Sequence, residues 1–167
     1  VVEGREHFEH WQPGIVIANH QSNLDLFIFG QILPPRTVSV GKSSLKYLPL
    51  FGQVYWLAGN ILINRRKKTQ SIAAMTAISE AIHRNNSSVW VFPEGTRNPS
   101  KTLLPFKKGA FYMALNAQVP IVSICASAYS LHLNLNRWHA CTVRVRIRPP
   151  IVTEGLGKED LGPLMEK

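Results

Sequence analysis

Short apolar runs rich in β-branched residues recur along the chain, each bounded by proline, glycine or polar residues, which is the pattern of strands covered on both faces. PGIVIANH (13–20) is the first, and TVSVG (37–41), NILIN (60–64), SVWVF (88–92) and PIVSI (120–124) follow it. Between the third and fourth of these the period lengthens: Ile72, Met75, Ser79 and Ile82 share one face of a helix over 69–83. Thr69 is its candidate N-cap, His83 and Arg84 lie near the last carbonyls, and Asn85 and Asn86 suit a left-handed cap. A second helix is predicted over 109–117. The stretch SLKYLPLFGQVYWLAG (44–59) is apolar and aromatic, but Pro49, Gly52 and Gly59 interrupt any helix in it.

Strands alternating with helical patterns predict an α/β fold, a largely parallel central sheet flanked by helices on both faces, in one domain over 1–167. In such sheets chemistry gathers beyond the carboxyl ends of the strands. TVRVRIR (142–148) differs from the rest. Val143, Val145 and Ile147 alternate with Arg144, Arg146 and Arg148, as in a half-exposed strand near the sheet edge.

Composition adds a charge. Lys plus Arg number 19 against 10 Asp plus Glu, a formal +9 that attracts polyanions without choosing among them. The basic residues are scattered and form no recognition signature, so no nucleic acid partner is expected, and a basic nucleic-acid-binding domain is the weaker rival. Cys125 and Cys141 are too few for a disulfide scaffold and lack C-x-x-C spacing, and both read as reduced core thiols of a cytosolic-side protein. No run reaches the roughly 18 apolar residues of a spanning helix. The chain opens at Val1 with no initiator methionine, as expected of a piece of a longer protein.

Candidate chemistry sits in NHQSNLD (19–25), directly behind the first strand. SNLD fits S-x-x-D, a capping box in which Ser22 and Asp25 satisfy amides of a helix start. With the helix beginning at Ser22, His20 lies in the preceding turn and the Asp25 carboxylate can fold back to the imidazole. That contact would fix one tautomer and leave the other ring nitrogen as a general base. Downstream, FPEGTRN (92–98) follows a strand and gathers Pro93, Glu94, Gly95 and Arg97 in one turn, which taken alone is equally a solvated surface turn.

NHQSNLD, GNILINR, FPEGTR and VPIVSI together resemble, in order and spacing, the four motif blocks of the glycerolipid acyltransferases, and most of all their bacterial lysophosphatidate-acylating members. TVSVGKSSL, LPLFGQVYWLAGN, LLPFKKGAF and LNLNR extend the likeness over roughly residues 14–150. The resemblance implies a glycerol-3-phosphate-acyltransferase-like fold and transfer of an acyl chain from an acyl thioester to the sn-2 hydroxyl of 1-acyl-glycerol-3-phosphate, giving phosphatidic acid. It implies His20 as the base that deprotonates the acceptor and Asp25 as the residue that orients it. Arg65, Glu94, Gly95 and Arg97 fall on positions associated with the glycerol phosphate. Lys42, just past a strand end, and Lys107 in PFKKG are further candidates for a phosphate cradle, since forked and ammonium donors pair with phosphate oxygens. The implied partners are an acyl-CoA or acyl-acyl-carrier-protein donor, the lysophosphatidate acceptor and a membrane surface at the cytoplasmic face of the bacterial inner membrane. No metal or cofactor is implied.

One departure stands out: the second block commonly reads IDR where this chain has INR, placing Asn64 beside Arg65. Full-length members also carry an N-terminal membrane-anchoring segment, expected to lie outside this chain. The aromatic stretch 45–58 reads as core, as an acyl-chain groove or as a bilayer contact, and the Arg144, Arg146 and Arg148 face as solvated or as a contact for headgroups or an acidic carrier. A serine hydrolase is disfavoured because no G-x-S-x-G elbow is present. Another lysophospholipid acceptor is the serious alternative.

Overall fold

The computed structural model describes residues 1–63, 68–136 and 141–166, with backbone alone for 68–73. Its strands are β1 (Val2–Glu3), β2 (Ile15–Ala18), β3 (Thr37–Lys42), β4 (Ile61–Ile63), β5 (Ser88–Val91), β6 (Ile121–Ala126) and β7 (Val145–Ile147). They form one sheet in the order β1-β7-β6-β2-β5-β3-β4. Neighbours pair in parallel except β6 with β7. The helices are α1 (Asp25–Gly30), α2 (Phe51–Leu57), α3 (Lys68–His83), α4 (Gly109–Ala117) and α5 (Leu161–Glu166).

β2 and β5 lie side by side at the centre and are buried at every position, which is why neither alternates apolar with polar residues. Their side chains still alternate between faces. Ile15, Ile17, Val89 and Val91 pack with Ile78 and Ile82 of α3, Phe111 and Ala114 of α4, and Leu161 and Leu164 of α5. Val16, Ala18 and Trp90 pack with Phe29 of α1 and with Ile32 on the other face. The predicted α/β architecture with helices on both faces is therefore observed, and the predicted strands and the helices over 69–83 and 109–117 are found within a few residues. Asn86 takes the left-handed conformation at φ 50°, ending α3 as its sequence suggests. Asn64 and Arg65 lie outside the described residues, and so does the side chain of Thr69.

Three expectations are corrected. α1 starts at Asp25 rather than Ser22. Ser22 Oγ accepts from the Leu24 amide at 3.0 Å while the Asp25 amide donates to the Ser22 carbonyl at 3.3 Å, so only the Asp25 half of the capping box forms. The expected half-exposed strand near the sheet edge is found as β7, shorter than TVRVRIR and one strand in from the edge, where the parallel strand β1 covers it and Glu3 pairs with Arg146. Cys125 is exposed and Cys141 half-buried, so neither is a core thiol. Cys125 points to the sheet face whose buried cluster reaches β6 only at Ile121. Finally, the 45–58 stretch is mostly surface: Tyr47, Leu50, Val54, Trp56 and Leu57 are exposed, with Tyr55 and Gly52 buried.

Phe29, fully buried, carries much of the contact between α1 and the sheet, touching Trp90 edge-on. Phe29→Ala is expected to cost about 3–5 kcal/mol through lost burial and an unfilled cavity, whereas Cys125→Ser should change stability by no more than about 0.5 kcal/mol. Urea unfolding of both variants checks the contrast.

Candidate active site

The carboxyl ends of β2, β5 and β6 meet in one place. Beyond β2, the Asn19 side chain takes both backbone groups of Ala126, donating to its carbonyl at 3.0 Å and accepting from its amide at 2.8 Å. Gln21 Nε2 donates to the Ser127 carbonyl at 2.8 Å. These bonds tie residues 19–21 to the end of β6, and the chain then turns around a single carboxylate.

That carboxylate is Asp25, fully buried at the start of α1. Its Oδ2 accepts from the Gln21 amide at 2.7 Å and the Ser22 amide at 3.0 Å, and lies 2.6 Å from His20 Nδ1. Its Oδ1 accepts from the Tyr129 hydroxyl. Because Tyr129 spends its proton on Asp25, the 2.8 Å contact between the hydroxyls of Ser22 and Tyr129 has Ser22 as donor. Burial, and then the bond to Asp25, push the Tyr129 phenol far above the usual tyrosine range, so it stays a donor at all physiological pH. An ionised Asp25 requires the proton of neutral His20 to sit on Nδ1. Nε2, which takes no hydrogen bond among the described residues, is thereby left basic and available.

The imidazole lies flat on Phe92, with ring centroids 3.9 Å apart and planes at 14°. Phe92 opens the turn beyond β5: its carbonyl accepts from the Gly95 amide at 3.1 Å. Pro93 suits the second position of that turn. Gly95 sits at φ 72°, where a side chain would be strained. Between them Glu94 is buried with both oxygens engaged. Oε1 accepts from the His20 amide at 2.9 Å, and Oε2 accepts from Asn98 Nδ2 at 3.1 Å and the Leu104 amide at 3.0 Å. The Asn98 amide returns to the His20 carbonyl at 2.7 Å. Glu94 therefore braces the histidine backbone against the 98–104 loop.

Arg97 is exposed and donates through Nη1 to Asn23 Oδ1 at 3.0 Å, which holds its guanidinium beside the 22–24 turn and, among the described residues, leaves other donors of the fork unused. Lys107 lines an apolar cavity of about 200 Å³ together with Phe92, Pro93, Gly95, Val40, Met75 and Met113. The same phenyl ring thus touches both the histidine and the cavity. Lys42, at the carboxyl end of β3, is exposed and bonds to no site residue among those described. Arg65 lies outside the described residues. The structure thus brings His20, Asp25, Glu94, Gly95 and Arg97 together, seats Lys107 beside them, and leaves Lys42 on the same edge of the sheet without contact.

The motif reading missed Tyr129, Phe92, Asn19 and Gln21. Phe92 was legible as the last residue of an apolar strand whose next residues carry the chemistry. Tyr129 had no local signal, since its contact with Asp25 spans 104 residues.

With this geometry in view, a family model described as Acyltransferase matches residues 1–127. The chain belongs to the acyltransferase family. It is 44% identical over 156 residues to the 1-acyl-sn-glycerol-3-phosphate acyltransferase of Escherichia coli K12, covering 93% of this chain and 64% of that one. To the human 1-acyl-sn-glycerol-3-phosphate acyltransferase alpha it is 40% identical over 168 residues, 99% of this chain and 59% of that one. The chain therefore spans about three-fifths of the length of these curated relatives. The crystal structure of the 1-acyl-sn-glycerophosphate acyltransferase of Thermotoga maritima superposes on this acyltransferase with a TM-score of 0.77 at 26% identity, covering 99% of this chain and 67% of that one.

Two substitutions test the bracing. Glu94→Gln keeps the shape but aims an amide N–H₂ at converging donors, and should cost about 1–3 kcal/mol in urea unfolding. Tyr129→Phe removes the only donor to Asp25 Oδ1 among the described residues and should cost a similar amount, about 1–3 kcal/mol. Wild-type midpoints in both would show that the two carboxylates are held by other means.

Proposed function

We propose that this chain is the catalytic part of a 1-acyl-sn-glycerol-3-phosphate acyltransferase, which moves an acyl group from a coenzyme A or acyl-carrier-protein thioester to the sn-2 hydroxyl of lysophosphatidate and forms phosphatidic acid. The observation that carries this reading is the buried, four-donor Asp25 holding His20 by Nδ1 with Nε2 left open. His20 Nε2 takes the proton of the acceptor hydroxyl as its oxygen attacks the thioester carbonyl. Asp25 stabilises the imidazolium so formed, and the ring returns the proton to the departing thiolate sulfur as the tetrahedral intermediate collapses. No acyl-enzyme is required, because Ser22, the hydroxyl nearest the pair in sequence, is committed to Tyr129 and Leu24.

Arg97, with Lys107 and Lys42 on the same edge, supplies positive charge for the acceptor phosphate, and Arg65 joins them by sequence. Glu94 and Gly95 shape the turn that carries Arg97. The apolar cavity beside Phe92 suits the donor's acyl chain, each buried methylene being worth about 0.8 kcal/mol. The acceptor and product are lipids, which places the reaction at a membrane surface, in a bacterial cell at the cytoplasmic face of the inner membrane where soluble thioesters are made.

His20→Ala should lower kcat about 10²–10⁴-fold in a protein that still folds, its unfolding midpoint lowered only as far as losing one of the four donors to Asp25 requires, about 1–3 kcal/mol. Near-normal turnover in that folded variant would overturn the mechanism. Arg97→Ala should raise KM for lysophosphatidate about 10-fold or more and barely change KM for the thioester, and Arg97→Lys should recover only part of the loss because an ammonium cannot present a fork. Equal effects on both substrates would make Arg97 structural. Running the assay with lysophosphatidate beside other lysophospholipids, and with both thioesters, identifies acceptor and donor.

A further inference from the structure

The mechanism leaves unused a cluster of exposed apolar residues among those described. Within residues 47–57, Tyr47, Leu50, Val54, Trp56 and Leu57 are 66–83% exposed, and Leu48 and Phe51 are also exposed. Single apolar residues scattered over a surface are ordinary, but a contiguous cluster of this kind marks a contact. The cluster continues onto α1, where Phe27 is 69% exposed. Leu26 of α1 and Phe51 of α2 line one cleft of about 440 Å³, which joins the two patches.

The segment is held rigidly in this posture. Tyr55 is buried and its hydroxyl contacts Ser39 Oγ at 2.6 Å. Gly52 lies so close to the backbone of Leu45 and Lys46 that a Cβ there would meet the Lys46 carbonyl oxygen at 2.5 Å. At the tip, Leu50 is the centre of a three-residue turn, with φ 63° and ψ −52° and the Phe51 amide donating to the Pro49 carbonyl at 2.7 Å. This γ-turn with positive φ is rare and strained for a residue bearing a Cβ. It presents a leucine side chain outward, 83% exposed. Packing within the fold gains nothing from that presentation.

Charge identifies what the patch meets. The sequence contains no carboxylate side chain between Asp25 and Glu80, although Arg36, Lys42 and Lys46 fall in that interval and are exposed. Lys46 Nζ sits 4.8 Å over the ring of Tyr47, so cation and interfacial aromatic occupy one spot. Aromatic and aliphatic side chains beside a lysine, on a stretch of sequence without carboxylates, match an anionic bilayer surface, with its apolar boundary beneath negative headgroups. No helix among the described residues is long and apolar enough to cross a membrane.

We propose that the 47–57 segment, with the first turn of α1, is an interfacial foot by which this domain itself inserts into the headgroup boundary of an anionic bilayer. The foot begins where β3 ends, on the sheet edge that carries His20, and α1 starts at Asp25. Docking on it sets the His20 edge against the membrane, so that a lipid acceptor reaches Nε2 without leaving the bilayer. That last benefit rests on the acyl-transfer reading, whereas the docking does not.

The test uses the 167-residue chain and vesicles of phosphatidylcholine with or without phosphatidylglycerol. Co-sedimentation should show binding that phosphatidylglycerol strengthens. Leu50→Ser with Leu57→Ser should weaken it about 10-fold or more by removing inserted aliphatic area, with an unchanged thermal melt as expected for exposed positions. Lys46→Glu should weaken binding to the anionic vesicles alone. Tryptophan emission should shift to the blue on binding, and Trp56→Phe should abolish most of that shift. Equal binding by the double-serine variant, no binding by wild type, or a patch-dependent dimer with no vesicle affinity would each overturn the proposal, the last by assigning the face to a second copy of the chain. Vesicle binding needs no turnover, so a failure of the acyl-transfer reading would leave this result standing, and a failure here would leave turnover of a water-soluble, short-chain acceptor intact.

Discussion

A carboxylate buried without partners destabilises a fold by several kcal/mol, and Asp25 is buried completely. Everything around it follows from meeting that demand. Two amides of the 20–22 turn, one imidazole nitrogen and one phenol converge on its two oxygens. The turn must fold back on itself to aim the amides, and β6 must lie beside β2 to bring Tyr129 within reach. The histidine is oriented as a by-product of satisfying the charge, which is why a helix start and a proton-transfer site can occupy the same seven residues.

Glu94 repeats the device from the other side. It is the second buried carboxylate at the site, and its partners are again N–H donors, from His20, Asn98 and Leu104. Neither acid is left with an oxygen lacking a donor. The two carboxylates thus hold His20 by its ring and by its backbone, and the exposed Arg97 lies outside both sets of bonds.

Strand and helix identities were legible because the central strands are apolar at every position but Ser88 and α3 carries a helical period. The short β1 was invisible: Val2 and Glu3 have no pattern, and their order comes from pairing with β7. The His20–Asp25 contact was legible because it is local, and the turn carrying Glu94, Gly95 and Arg97 because proline and glycine punctuate it. The roles within that turn were less legible. Nothing in FPEGTRN says that Glu94 faces inward and Arg97 outward, since burial depends on a loop and a histidine far along the chain. Exposure of the 47–57 segment was not legible either, because apolar composition reads as core until its neighbours in space are known.

The pairing of Asn19 with both backbone groups of Ala126 has a consequence for how the site comes into being. His20 and Asp25 sit five apart, but the bonds that aim them reach 74 residues to Glu94, 107 to Ala126 and 104 to Tyr129. The His20–Asp25 pair is therefore local in sequence, but it is aimed only where β6 lies beside β2. Ordering of the imidazole and completion of the sheet are one event. A chain in which β6 has not joined β2 lacks the bonds from Asn19 and Tyr129 that hold the pair in place.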